Sequence, residues 1–151
     1  MNIERCEDLI DWTSQVHARL ADCMAEGAQA RSDSLARMLL DYLVQHEREL
    51  SATVARLKRH AEPHALQVRL QDAVRPDLLQ LELDSEAYAQ MSVEEISKDV
   101  FDLHNRIIDL YRSLERRREF ERARALLGEM LRMQEHETMR LAQQINRMHE
   151  L

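Results

Sequence analysis

Four stretches of the chain space their apolar residues three and four positions apart, the pattern of one helix face. Ile3, Cys6, Ile10, Leu20 and Met24 predict a helix over about residues 3–26, with Gly27 as its C-terminal stop. Leu35, Leu39, Leu43, Leu50, Val54 and Leu57 predict a second over about 34–62. Ser32, Asp33 or Ser34 can cap it, and Pro63 cannot continue its hydrogen-bond ladder. Ser92 and Glu95 form a capping-box pattern that opens a third helix, about 93–117. Its stripe is Ile96, Val100, Leu103, Ile107, Leu110 and Leu114. Leu126, Met130, Met133, Leu141, Ile145 and Met148 predict a fourth over about 122–150. Arg and Glu interrupt the stripe between Leu114 and Leu126. One unbroken helix over 93–150 would be about 87 Å long, too long for a compact domain of this size. A tight turn is therefore expected near Arg117–Glu121.

Residues 63–91 hold both prolines, Pro63 and Pro76, and the least regular pattern. They read as a long connection, with a short helix or turn in "PDLLQLELDSEAY". An up-down-up-down bundle closes such gaps with about 2–8 residues. The expected architecture is therefore an all-α four-helix bundle, one domain over 1–151, in which two helical hairpins are joined by one long crossover.

Composition supports the helical reading. Two Gly, two Pro and 4% aromatic residues leave little for turns or sheets. The net charge of −7 argues against nucleic acid, which would require a basic stripe. In the most basic stretch, "ERRREFERAR", the arginines alternate with Glu115, Glu119 and Glu121, as on a solvated turn. No apolar run reaches membrane-spanning length. Cys6 and Cys23 share one predicted helix about 25 Å apart, too far to bridge, which fits a reducing cytoplasm. With two glycines, phosphate-binding loops are excluded.

The polar residues that fall among the apolar stripes carry the candidate chemistry. At about 100° per residue, His17 lies between Ile10, Leu20 and Met24, and His46 lies between Leu39, Leu43 and Leu50. His104 sits beside Val100 and Tyr111, and Glu137 falls in line with Met130, Met133 and Leu141. Each is near its helix midpoint, so the four share one level. One inward polar residue per helix is how a bundle builds a metal site, and imidazole and carboxylate suit iron, zinc or manganese. Glu47, Gln134 and His136 are secondary candidates: Glu47 at the flank of its helix, Gln134 inward, and His136 at the edge of the apolar arc. Arg140, one turn beyond Glu137, is placed to pair with it. Taken singly, each histidine fits a hydrogen-bonded core position better than a ligand position. Trp12 and Val16 either extend the first helix's packing face, the preferred reading, or form a dimer seam.

The helix order and the segments "YLVQHERELSATVARL" and "LLGEMLRMQEHETMRLAQQI" resemble the ferritin-like superfamily, rubrerythrin-type members included. The resemblance implies a di-iron site using a Glu from the first and third helices and Glu-x-x-His from the second and fourth. Glu47 and Glu137 match the two Glu of those pairs, whereas Leu50 and Arg140 stand where the His would be. The first helix has no central Glu, and the third offers His104 instead. A hemerythrin-like pattern fails because His46 and His136 are followed four residues on by Leu50 and Arg140. Two functions follow as expectations. The first is a binding or structural protein with a buried His/Glu cluster, forming a homo-oligomer such as a dimer. The second is a metal-binding oxidoreductase or metal-storage protein using a His-rich core site.

Overall fold

The computed structural model describes residues 2–75 and 81–149, and the described chain is helical without a β-strand. Four long helices dominate: α1 (Cys6–Gln29), α2 (Ser34–Arg59), α5 (Val93–Glu115) and α6 (Arg124–His149). Among the described residues between α2 and α5 are the short helices α3 (Pro63–Leu66) and α4 (Ser85–Gln90) and a 3₁₀ turn at Gln71–Ala73. Pro76 and the rest of "PDLLQ", the first part of the expected helix or turn segment "PDLLQLELDSEAY", lie outside the described residues. No helix among the described residues is long and apolar enough to cross a membrane.

The helix ends have identifiable causes. Ser92 Oγ accepts from the Glu95 amide, and Glu95 Oε1 accepts from the Ser92 amide, each at 3.1 Å. That reciprocal cap fixes the start of α5. Helix α2 stops at Arg59, short of Pro63, because Glu62 caps a new helix there. Its carboxylate accepts from the His64 and Ala65 amides, with proline at the first helical position. The reversal between α5 and α6 is a 3₁₀ segment, Arg118–Ala123, anchored by buried Phe120. Gly27 does not end α1, which runs on to Gln29. It is buried beneath α4 instead, where a Cβ would lie 2.6 Å from that of Tyr88.

Side-chain pairs give the helix directions. Asp11 pairs with Lys58 at 2.7 Å, and Ser14 lies 3.1 Å from Ser51, so α1 and α2 are antiparallel. Arg112 lies 3.7 Å from Glu135 and Glu115 lies 3.5 Å from Arg132, so α5 and α6 are antiparallel. Thr13 meets Tyr111 at 2.7 Å while His17 faces His104, so α1 and α5 are also antiparallel. Helices α2 and α5 therefore run the same way, and the chain between them must return along the length of the molecule. It is held there at both ends. Near the start of α1, the Cys6 amide donates to Val68 and the Leu70 amide to Glu4, each at 2.9 Å. At the other end the Arg31 guanidinium donates to the carbonyls of Tyr88 and Met91.

One apolar core joins all four long helices and includes Leu9, Leu20, Leu40, Leu43, Ile96, Tyr111, Leu127 and Leu141. Trp12, 7% exposed, packs into it and does not form an exposed patch. Cys6 and Cys23 are free thiols. Cys6 is wholly buried, and burial, with Glu7 nearby, pushes its thiol up to about 12. Because the thiolate is the reactive species, iodoacetamide is expected to label half-buried Cys23 slowly and to spare Cys6 in the native chain. Peptide mass mapping checks this; equal labelling would mean that the N-terminal end of α1 opens.

Candidate metal centre

Four of the polar residues inside this core form one connected group. His17 on α1, Glu47 on α2, His104 on α5 and Gln134 on α6 are each 0% exposed. Glu47 Oε2 lies 2.5 Å from His17 Nδ1, and Glu47 Oε1 lies 2.5 Å from His104 Nε2. The rings of His17 and His104 meet edge to face, with centroids 5.4 Å apart. One ligand-type atom from each of the three residues falls within 4.8 Å of the others.

The outer nitrogens are also occupied. His17 Nε2 is 3.0 Å from Gln134 Nε2, and His104 Nδ1 is 3.1 Å from Thr138 Oγ1. A self-consistent proton assignment follows. Glu47 is an anion that accepts Nδ1–H of His17 and Nε2–H of His104. The Gln134 amide donates to His17, and the Thr138 hydroxyl donates to His104. Burial alone would raise the Glu47 carboxyl, but the pull of the two imidazoles outweighs it and holds the group far below its ordinary value. Among the described residues Gln134 Oε1 has no hydrogen-bond partner.

The structure separates this set from the one the helical phases predict. His17, His104 and Gln134 come together as expected from their inward positions. Glu47 does not sit at a flank. Glu137 does not reach the cluster: its half-buried carboxylate pairs with Arg140 at 3.2 Å, the i,i+3 neighbour. His136 is exposed. His46 is buried but points elsewhere, its ring lying between Tyr42 and His104, with centroids 6.5 and 6.2 Å away.

The physical reason lies in the true inward line of α2. Ala36, Leu40, Leu43, Glu47, Leu50 and Val54 are all nearly inaccessible and repeat at four, three, four, three and four. That line was readable in the sequence and runs through Glu47. The chosen stripe began at Leu35, which is 48% exposed. On α6 the buried line is Leu127, Met130, Gln134, Leu141 and Ile145; Glu137, three residues past Gln134 and four before Leu141, fits that spacing but stays half-buried, held by Arg140. Thr138 has no apolar or charged signature, so nothing in the sequence singled it out.

His46 Nε2 has no partner among the described residues, and burial, the largest influence, lowers the proton affinity of the ring. Between its ordinary value of 6.5 and the lower folded value, the unfolded chain holds the proton and the folded chain does not. The stability tied to this group is complete above pH 6.5 and is lost as pH falls. His46→Phe is therefore expected to hold or raise stability, within about 1 kcal/mol, by removing an unsatisfied polar atom. It should also remove the part of the acid sensitivity that begins just below pH 6.5. Urea unfolding as a function of pH reads both effects.

A cleft of about 240 Å³ beside Trp12, Leu81, Ile107 and Leu110 touches none of the four cluster residues. An open groove between α5 and α6, lined by Phe101, Ile108 and Met139, reaches Thr138 and stops one hydrogen bond short of His104. No known family model matches the chain, and no curated protein or solved structure gives a significant match.

Proposed function

We propose that this chain is a helical bundle that binds one divalent transition metal ion through His17, Glu47 and His104. The observation that carries the reading is the convergence of two imidazoles and one carboxylate, from three helices, in a fully buried site. Two neutral imidazoles and one carboxylate suit zinc or ferrous iron, and manganese less well. Bonds of about 2.0–2.2 Å to a common ion place ligand atoms roughly 3.4 Å apart. The imidazole–carboxylate contacts would open by about 1 Å from their hydrogen-bonded separation, a side-chain adjustment. The cation would replace the two shared protons as the partner of the Glu47 charge.

The set departs from the two-iron carboxylate pattern that the ferritin-like resemblance implies, because one carboxylate cannot bridge and ligate two ions alone. The helix order and directions support a ferritin-like topology; the donor set supports a single-ion site within it. Neither of the two clefts described above is lined by the triad.

Calorimetric titration of the metal-free chain with zinc and with cobalt(II) tests the reading. One equivalent should bind, with tetrahedral or five-coordinate cobalt absorption, and His104→Ala should lose it. Absence of stoichiometric binding by the wild-type chain would falsify the proposal. A second reading has its own support: both oxygens of Glu47 are already paired, so the cluster also works as a metal-free network that fixes helix register.

A further inference from the structure

Gln134 is an odd choice for packing. It is fully buried, its amide nitrogen contacts His17, and its oxygen faces no donor. An unsatisfied buried acceptor costs about 1–3 kcal/mol, which offsets what the bond from the amide nitrogen to His17 contributes. Resting on the single-ion reading above, we propose that Gln134 is a two-position positioning residue whose amide turns over when a metal ion binds His17.

The position of the proton on His17 sets the orientation of the amide. In the metal-free chain Nδ1–H donates to Glu47, so Nε2 carries a lone pair and takes a bond from the Gln134 NH₂. A metal on Nδ1 occupies the nitrogen that held the proton. The neutral ring keeps its single proton by moving it to Nε2, with none gained or lost. That N–H now confronts the Gln134 NH₂, donor against donor. Rotation of the amide by half a turn presents Oε1, and Nε2–H donates to it. The spare acceptor of the metal-free form is the one the loaded form uses. Metal-ligating histidines ordinarily donate their other N–H to such an acceptor, and the partner is worth about 10–100-fold in affinity.

His104 has the same requirement but a different solution. Its ligating atom is Nε2, and its Nδ1 faces a hydroxyl, which accepts as readily as it donates. Thr138 need only rotate its proton. The turnover therefore falls on Gln134 alone, and both histidines retain a partner in either state.

Zinc titration of the full chain, followed by long-range proton–nitrogen correlation of the histidine rings, tests the proposal. His17 should change from the Nδ1–H to the Nε2–H tautomer. Gln134→Met removes the amide at nearly constant volume. It should leave the metal-free melting temperature nearly unchanged, because His17 Nε2 loses its donor as the unpaired Oε1 disappears, while weakening zinc binding about 10–100-fold. Gln134→Glu keeps an acceptor and should restore most of that affinity above neutral pH. If Gln134→Met binds zinc as tightly as wild type while His17 still ligates, the switch is wrong and the triad stands. If zinc changes neither His17 nor His104, the single-ion reading fails, and the switch fails with it.

Discussion

Glu47→Gln is expected to remove zinc binding while leaving the fold nearly as stable, and Glu47→Leu to remove zinc binding and much of the stability. The glutamine oxygen can accept from one imidazole while its NH₂ donates to the other. His104 can take the required tautomer because Thr138 works in either sense. The loss in unfolding free energy should be about 1 kcal/mol. Zinc affinity should fall by at least about 100-fold, since the site's only anion is gone. Leucine leaves two buried imidazole N–H groups without an acceptor, at about 1–3 kcal/mol each. Calorimetry and urea unfolding on the same three proteins separate the two roles of Glu47. Full zinc binding by the glutamine variant would move the metal site away from Glu47. A leucine variant as stable as wild type would show that the network contributes nothing to the fold.

Gly27→Ala is expected to destabilise the chain by about 1–3 kcal/mol, although alanine favours a helix by about 1 kcal/mol. The new methyl would lie 2.6 Å from Tyr88 Cβ and about 3 Å from backbone atoms of Tyr88 and Ala89. Backbone cannot step aside as a side chain can, so α4 must lift from α1. That movement would pull on the short Tyr88–Asp99 hydrogen bond and on the carbonyls held by Arg31. Gly128→Ala is the matched control. There the nearest atoms are the guanidinium of exposed Arg132 and the carboxylate of Glu115, the ends of side chains that can move. Its stability should hold or rise by up to about 1 kcal/mol. Thermal unfolding of both variants gives the sign directly, and amide exchange at residues 88–91 shows whether α4 has come away. Equal effects at the two glycines would mean that the close approach at Tyr88 is not a constraint.

The helical character of the chain was legible because long apolar stripes and the scarcity of breakers point the same way. The site was legible in part. His17 and His104 each lie centrally in a stripe, so an error of one residue in phase does not move them out of the core. Glu47 and His46 are adjacent on a helix that packs on more than one neighbour, and its buried arc is wide enough to hold both. Which of the two reaches the centre depends on the rotation of α2 against α1 and α5. That rotation is set by contacts such as Ser14–Ser51 and Asp11–Lys58, which no pattern within one helix contains. Glu137 was lost for the complementary reason. Its nearest cation is Arg140 on its own helix, and a half-exposed ion pair is easier to form than a buried charge is to desolvate.

The division of the cluster between the hairpins bears on how the molecule assembles. His17 and Glu47 belong to the first hairpin and are 30 residues apart; His104, Gln134 and Thr138 belong to the second. Each hairpin can close on local contacts, a short loop at little entropic cost. Only when the two halves dock do the Glu47–His104 and His17–Gln134 bonds form, across 57 and 117 residues of sequence. The core polar groups thus act as a latch whose two parts are made separately. An ion held by that latch would grip both halves at once, so occupancy would slow their separation more than it speeds their formation.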